Sequence, residues 1–477
     1  MNFEKKKYML TILLIVPIIA IINIYISKRD SWRIGLIYSI INFIHTTYLI
    51  HIFDPLTSQF QYQYMTTYVT LGVDGISIWL IWLTNILMPI LILSSYKSIK
   101  IMIKPYLYNI FLINFWSIAV FMVLDLLYFY ISFEAVLIPM FYLIGYYGSR
   151  NKKLSALYQF FLYTLFGSLF LLISIIFIYY LTGSTDYQII LTIPFTYNIQ
   201  LILWLGFFLS FAIKVPMIPF HIWLPLAHTE GNTGASVILA AILLKLGTYG
   251  FIRFSIPLFP DACEYYLPFI AIIAIIGIIY SCISALSLID LKQIIAYSSI
   301  AHMNVSIIGL FTNNIHGLIG SYLYNISHGL VSGGLFLLVG MLYDRYQTRT
   351  LKYYRGLIRI MPIYIILFLF FTLSNLSFPG TFGFISEFLI YYGTFLLNPI
   401  YLIPVSLVSF LLPLYFLWTY HKIAYGQISN YIPILYQDIT IKEYNILLPL
   451  IIWIIILGIN PSIIINNIEN SLLTIIY

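Results

Sequence analysis

Charged residues are scarce in this chain: only 8% of its 477 residues are Asp, Glu, Lys or Arg. A soluble domain carries about 25%, so the sequence has too little polar surface to remain in water. Cysteine is also scarce, with only Cys263 and Cys282. That number excludes a disulfide framework, a cysteine-based zinc finger and the ligand set of an iron–sulfur cluster. The glycine-rich patterns G-x-G-x-x-G and G-x-x-x-x-G-K-[ST] are missing as well, so no nucleotide-binding loop is indicated.

Hydrophobic residues dominate instead, at 61% of the chain, and the mean hydropathy is +0.97. A membrane-spanning helix needs about 20 mostly apolar residues. The sequence therefore indicates an all-α polytopic membrane protein, and it argues against a secreted enzyme, a nucleic-acid binder or a cytosolic catalyst. The apolar runs predict about fourteen transmembrane helices, at residues 8–27, 33–53, 76–96, 107–124, 125–147, 157–182, 200–218, 235–256, 267–289, 293–312, 315–343, 361–396, 400–424 and 445–460.

Lysine and arginine concentrate in alternate connections between these spans. Connections on the non-translocated side of a membrane are enriched in Lys and Arg. Seventeen of the 23 bases follow odd-numbered spans, whereas Lys5, Lys6, Lys7 and Arg253 lie on the opposite side. This asymmetry supports fourteen spans. It predicts that the segments 150–153 and 345–359 face the non-translocated side, with both termini on the other side.

Four charged residues lie more than three positions from either end of a predicted span: Glu134, Lys214, Lys245 and Glu387. A charge at the centre of a bilayer helix costs at least about 2.5–3.5 kcal/mol, so such residues usually face a polar interior and mark ion routes. Mixed in sign, these four can pair and exchange protons. A structural role, as ion pairs that hold helices together, is the alternative.

Histidines also occur within the spans. His302 and His328 are flanked by serines, and an imidazole that titrates near neutral pH suits a proton relay between Lys and Glu. A hydrogen bond to a neighbouring helix is the alternative for each. His221 and His228 follow span seven, where a functional role and an ordinary interfacial role are equally compatible with the sequence.

Two spans carry helix-breaking residues beside a buried charge. Pro216 and Pro219 follow Lys214, and the segment 378–383 (FPGTFG) precedes Glu387. In a membrane, the freed backbone groups must be covered by protein or by water in a cavity. Because the broken spans 7 and 12 are five spans apart, spans 4–8 and 9–13 are predicted to form two inverted five-helix repeats. The predicted domains are 1–106, 107–256, 257–424 and 425–477.

Several motifs together carry a resemblance to a known family. They are 133–139 (FEAVLIP), 214–225 (KVPMIPFHIWLP), 228–230 (HTE), 244–250 (LKLGTYG), 290–292 (DLK), 296–299 (AYSS), 302–303 (HM) and 327–329 (SHG). With these motifs the sequence resembles the antiporter-like, proton-pumping membrane subunits of respiratory complex I, over about residues 74–425. One departure is the segment after Glu230, where the family usually continues with Ala-Pro and this chain has Gly231 and Asn232.

The resemblance implies roles for individual residues. Glu134 and Lys214 form a pair on helices 5 and 7, and Lys245 is the central relay lysine. Glu387 matches the acidic residue of broken helix 12, where paralogous subunits typically carry lysine. The remaining candidates implied by the resemblance are His302 and His328, which continue the hydrophilic axis, and the accessory polar residues His221, His228 and Glu230.

The implied function is that of a membrane-arm subunit of proton-translocating NADH:ubiquinone oxidoreductase in the mitochondrial inner membrane. On this hypothesis the chain binds no cofactor, and partner subunits carry out the redox chemistry. Its partners are other complex I membrane subunits, especially antiporter-like neighbours, and membrane lipids, with no nucleic acid. A stand-alone cation/proton antiporter subunit is the alternative, because such transporters resemble the same family. A membrane scaffold without transport would not need the buried charges and broken helices.

Overall fold

The computed structural model describes residues 3–28, 30–57, 60–65, 69–148, 152–429 and 437–476. Within this part of the chain, thirteen helices are long and apolar enough to cross a membrane. A further span consists of two shorter apolar helices, Pro362–Asn375 and Phe382–Leu397. The prediction of an all-α polytopic membrane protein with about fourteen transmembrane helices is confirmed.

The chain forms twenty-one α-helical segments and two strands within the described residues. Those of the N-terminal half are α1 (Phe3–Ile26), α2 (Ser31–Ile52), β1 (Tyr62–Met65), β2 (Thr70–Val73), α3 (Gly75–Ser98), α4 (Ile103–Met122), α5 (Leu126–Ala135), α6 (Leu137–Tyr147), α7 (Lys153–Thr182), α8 (Tyr187–Leu191), α9 (Tyr197–Lys214) and α10 (Trp223–Glu230). The others are α11 (Thr233–Ile238), α12 (Leu244–Gly250), α13 (Ile256–Leu258), α14 (Pro260–Ser287), α15 (Leu291–Leu310), α16 (Ile315–Tyr346), α17 (Pro362–Asn375), α18 (Phe382–Leu397), α19 (Pro399–Ala424), α20 (Ile441–Ile459) and α21 (Ser462–Ile476). Short π-helical segments (Leu239–Leu243 and Phe251–Ser255) flank α12, and 3₁₀ turns occur at Leu351–Tyr353 and Leu357–Arg359.

Polar caps determine where several spans begin. The side chain of Asp74 accepts a hydrogen bond from the Ser77 amide at the start of α3, and Asp290 caps α15 in a similar way. Such caps satisfy amide groups that have no partner within the helix. Asp125 does the same at the start of α5. The predicted boundary between spans four and five, around residues 124–125, is thereby confirmed.

Spans seven and twelve are interrupted where the sequence predicted. Between α9 and α10 the chain is non-helical over residues 215–222, and between α17 and α18 over residues 376–381. Span five carries an interruption that was not predicted, at Val136 between α5 and α6. Pro139 explains it, because proline has no amide to donate to the Ala135 carbonyl one turn earlier.

The strands β1 and β2 form a β-hairpin, which is the only sheet among the described residues. The strands are antiparallel, with Tyr62 opposite Val73 and Met65 opposite Thr70. The sequence analysis did not predict it, because four-residue strands are too short for a clear alternating pattern.

Packing divides the chain into two compact units. The first comprises Met1–Val215, Ile242–Pro268 and Ile464–Tyr477, and the second comprises Pro216–Ala241 and Phe269–Ile463. In the first unit α3 is buried on nearly every face, and in the second unit α15 and α16 are. The predicted domain boundaries were drawn from the inverted repeats, and they divide the chain differently from these two units. Both the domain boundaries and the inverted repeats stay predictions.

Three bases that the sequence analysis assigned to connections are buried, which corrects that assignment. Arg253, Lys292 and Arg349 are 4%, 3% and 1% exposed. Arg349 is buried because the backbone at Thr350 pairs with Asp290 and brings the guanidinium 3.8 Å from that carboxylate. The predicted orientation of the chain in the membrane stays a prediction. Among the bases on which it depends, Arg29, Arg150 and the side chains of Lys5, Lys6 and Lys7 lie outside the described residues.

Candidate functional site

Glu134 and Lys214 lie together in the first unit. Lys214 ends α9, and its Nζ donates to the Phe133 carbonyl oxygen at 3.4 Å and lies 4.1 Å from the centre of the Phe133 ring. This ammonium interacts electrostatically with the Glu134 carboxylate, and the Ser168 side chain lies close to that carboxylate. A cation at a helix C-terminus is stabilised by the unpaired carbonyls there. The pair is therefore a half-buried acid on α5 and a buried base at the end of α9.

Lys245 lies on α12 and is fully buried. The helix packs against the end of α9 because residue 247 is glycine. A Cβ at Gly247 would lie 2.6 Å from Cγ2 of Val215 and 3.1 Å from Cβ of Lys214. The first unit thus brings the helices that carry Lys214 and Lys245 into direct contact. The π-helical segments on both sides of α12 are of a type that is frequent at functional sites.

In the second unit, His302 and Glu387 belong to one series of hydrogen-bonding side chains. A hydrogen bond joins Nδ1 of His302 and the Tyr324 hydroxyl. Ser377, in the break before α18, lines one cavity with His302 and Tyr324, and its side chain lies close to both Tyr324 and Glu387. The Tyr391 hydroxyl then donates to Oε1 of Glu387. The series has the composition of a proton path, because each of its groups can accept and release a proton.

His328 lies beside this series. Its ring centre is 5.6 Å from that of His302, and both rings are buried. The two histidines, Tyr324 and Ser377 line a cavity of about 10 Å³, which is about the room that one water molecule needs. Three of the predicted residues, His302, His328 and Glu387, are therefore brought together.

Glycines allow this arrangement by letting α16 and α18 approach closely. A Cβ at Gly393 of α18 would lie 2.6 Å from the backbone of Gly317, and a Cβ at Gly320 of α16 would lie 2.7 Å from the Ile390 nitrogen. Small residues permit such close backbone contact between membrane helices. The helix that carries Glu387 is held by this contact against the helix that carries Tyr324 and His328.

The three accessory residues lie apart from that series. His221 packs edge-on against Tyr280, with ring centres 5.2 Å apart, and His228 stacks on Phe336 at 4.6 Å. Glu230 is 4% exposed and interacts electrostatically with Lys292. Each of these two histidine rings thus packs against an aromatic ring outside that series.

The segment after Glu230, where the sequence departs from the family pattern, forms a defined turn. Asn232 caps α11 by accepting a hydrogen bond from the Ala235 amide at 2.7 Å. Nζ of Lys292 donates to the Gly231 carbonyl oxygen at 2.9 Å and to Oγ of Ser236 at 3.3 Å. The buried lysine thus holds this turn against the start of α15. Lys292 was part of a motif in the sequence, but its burial was not predicted.

Sequence reasoning also missed Ser168, Tyr324, Ser377 and Tyr391. Serine and tyrosine are common in this chain, so residue type alone did not single them out. Tyr391 had a local signal, since it follows Glu387 by four positions and such residues are neighbours on a helix. No local signal identified the others, which reach their partners from other helices or from the break. In the described part of the chain, no group of three or more His, Cys, Asp or Glu side chains is arranged to hold a metal ion.

Comparisons with known proteins show which family the chain belongs to. The family described as NADH:quinone oxidoreductase/Mrp antiporter, TM, matches residues 123–412. NADH-ubiquinone oxidoreductase chain 4 of Marchantia polymorpha is 46% identical over 470 residues, which cover 96% of this chain and 95% of the relative. Chain 4 of Arabidopsis thaliana is 45% identical over 481 residues, covering 98% and 97%.

A solved structure, respiratory complex I from Thermus thermophilus with bound NADH, contains a chain of the same fold. That chain superposes with a TM-score of 0.89 and 26% identity, covering 98% of this chain and 99% of its own length. The sequence matches extend over nearly the whole chain, and so does the structural match. This chain therefore belongs to the NADH-ubiquinone oxidoreductase chain 4 family.

Proposed function

We propose that this chain is a membrane-arm subunit of the proton-translocating NADH:ubiquinone oxidoreductase and carries protons through its two buried sites. Membership of the chain 4 family supports the assembly, and the charged and hydrogen-bonding groups inside apolar helices support the transport. The observation that carries the proposal is that His302, hydrogen-bonded to Tyr324, shares a cavity with Ser377, whose side chain lies close to Glu387, because this arrangement places a base and an acid beside the break before α18.

In the second unit, a proton on His302 passes to the Tyr324 oxygen as Tyr324 releases its own hydroxyl proton toward Ser377. Ser377 in turn releases its hydroxyl proton to the Glu387 carboxylate. The hydroxyls end neutral, so the net result is one proton moved from His302 to Glu387. In the first unit, Glu134 and Lys214 form the corresponding acid and base, and loss of a proton from Lys214 to Glu134 neutralises both.

We further propose that the chain itself binds no redox cofactor and that electrons are carried by partner subunits. Its two cysteines fall short of the four that an iron–sulfur cluster usually requires. The partners we propose are neighbouring antiporter-like membrane subunits and membrane lipids. The mitochondrial inner membrane is the proposed location, since the relatives from a liverwort and a flowering plant are named as chains of NADH-ubiquinone oxidoreductase.

A native gel of solubilised membranes tests the assembly. We expect the chain in a large band that oxidises NADH, because a membrane-arm subunit is stable only with its neighbours. Migration as a free protein, apart from NADH oxidation activity, would contradict the proposal. That result would favour a stand-alone cation/proton antiporter, the other transport class in the matching family.

Glu134→Gln tests proton transfer in the first unit. Glutamine keeps the size and the polarity of the side chain, but it carries neither a charge nor an exchangeable acidic proton. We expect proton-coupled NADH oxidation to fall about tenfold or more, in complexes of normal abundance. The measurement is turnover together with proton pumping in reconstituted vesicles. Glu264→Gln, at an exposed position of the same unit, is the matched control, and wild-type pumping by Glu134→Gln would leave the pair a structural role only.

A further inference from the structure

The buried face of α2 is polar, whereas its exposed face is apolar. Exposed positions carry large apolar side chains, such as Ile37 and Ile44, which are 55% and 58% exposed. The buried positions recur every three or four residues, and they are Ser31, Gly35, Ser39, Asn42, Thr46 and Leu49. The hydroxyls of Ser39 and Thr46 donate to carbonyl oxygens of their own helix. Asn42 is different, because its side-chain amide bonds to another helix.

The partner of Asn42 is Asn85, near the middle of α3. Nδ2 of Asn42 donates to Oδ1 of Asn85 at 3.1 Å, and the two residues are 1% and 0% exposed. A single hydrogen bond between two side-chain amides leaves one oxygen and one NH₂ group over. Here they are Oδ1 of Asn42 and Nδ2 of Asn85, which have no partner in the described part of the chain. A buried polar group without a hydrogen bond is costly in a membrane helix, so both atoms need a further ligand.

Asn114, near the middle of α4, is a third asparagine of this kind. It is fully buried, and neither its Oδ1 nor its Nδ2 has a partner among the described residues. Its helix lies beside α2. The rings of Trp32 and Tyr106, near the two helix starts, have centres 6.2 Å apart. Further along both helices, a Cβ at Gly35 would lie 3.5 Å from the Phe111 ring, so α2 and α4 run in the same direction.

Residue spacing places Asn114 opposite Asn42. A Cβ at Gly35 would also lie 3.6 Å from Cδ2 of Leu107. Asn42 follows Gly35 by seven positions. Asn114 follows Leu107 by seven positions as well. Seven residues are about two helical turns, so each asparagine lies on the contacting face of its helix and at the same height as the other. Asn42, Asn85 and Asn114 therefore converge in the interior of the first unit.

We propose that these three asparagines bind an internal water molecule. Their free groups include two acceptors, Oδ1 of Asn42 and of Asn114, and two donors, Nδ2 of Asn85 and of Asn114. A cation would face the NH₂ groups and an anion would face the oxygens, so neither satisfies the cluster. Water both donates and accepts, and buried waters typically form about three hydrogen bonds. The cluster contains no group that takes up a proton near neutral pH, so this site is distinct from the two proton sites.

Electron cryomicroscopy of the intact, detergent-purified complex, at a resolution that shows ordered water, tests the site directly. We expect one density peak within about 2.7–3.2 Å of an amide atom of Asn114 and of Oδ1 of Asn42 or Nδ2 of Asn85. A direct hydrogen bond from Asn114 to either of the other asparagines, or no peak between them, would overturn the proposal. This measurement requires no substitution, so it decides the question even where a variant fails to assemble.

Asn114→Val adds a measurement of stability. Valine is similar in size but its side chain forms no hydrogen bond, so the water loses a ligand and the free atoms of Asn42 and Asn85 lose theirs. We expect the density peak to disappear and the melting temperature of the complex to fall, while proton pumping per assembled complex stays at the wild-type rate.

The matched control is Asn109→Val on the same helix. Asn109 is half-buried and already donates to the Pro105 carbonyl oxygen at 2.7 Å, so its replacement should leave the density peak in place. A melting temperature of Asn114→Val at or above that of the wild type would contradict the water site. It would mean that the Asn114 amide is unpaired in the native protein and that its removal costs no stability.

Discussion

Glu387→Gln is expected to abolish most of the proton-coupled turnover of the complex, by about tenfold or more. Glutamine preserves the size of the side chain and can still accept the hydrogen bond from Tyr391. It cannot take up the proton that the series from His302 delivers. The measurement is NADH oxidation together with proton pumping in reconstituted vesicles, at equal amounts of assembled complex.

Glu387→Asp provides the second half of this experiment. Aspartate keeps the acidic proton but shortens the side chain, so it reaches Ser377 and Tyr391 less well, and we expect part of the activity to remain. Glu469→Gln, at an exposed position of α21, should pump at the wild-type rate. Near-normal pumping by both Gln and Asp at position 387 would mean that Glu387 only caps the amide groups freed by the break.

Arg253→Met is expected to cause the largest loss of stability, about 3–5 kcal/mol. Nη2 of Arg253 lies 2.6 Å from both carboxylate oxygens of Asp74, and both side chains are almost fully buried. Removing the guanidinium leaves the Asp74 carboxylate buried without its counter-charge. The measurement is the apparent melting temperature of the purified complex and the abundance of this chain in it.

Two further variants test whether the loss of stability comes from breaking the buried pair and not simply from removing an arginine. Asp74→Asn combined with Arg253→Met removes both charges and keeps a residue that can cap α3, so it should recover much of the stability. Arg33→Met breaks an exposed pair, whose side chains are 83% and 64% accessible, and should cost at most about 1 kcal/mol. If Arg253→Met melted at the wild-type temperature, the pair would not hold α3 in place.

Much of the site could be read from the sequence because a bilayer makes polar groups conspicuous. Glu134, Lys214, Lys245 and Glu387 stood out, since each interrupts a long apolar run. Lys292 did not stand out, because it lies at a predicted helix end, where a lysine is ordinary. Only the packing of α15 against the turn at Gly231 revealed that it is buried.

Hydropathy and proline positions by themselves determined the fold class, the fourteen spans and the breaks in spans seven and twelve. These features are local, because every backbone group in a membrane must find its partner within its own helix or be covered at a break. The tertiary structure decided which polar groups meet. Arg253 and Asp74 are 179 positions apart, and Ser377 reaches Tyr324 and Glu387 only through the packing of α16 against α18. Such pairs depend on how helices pack against one another, and that information is spread over the glycines and apolar side chains of several helices.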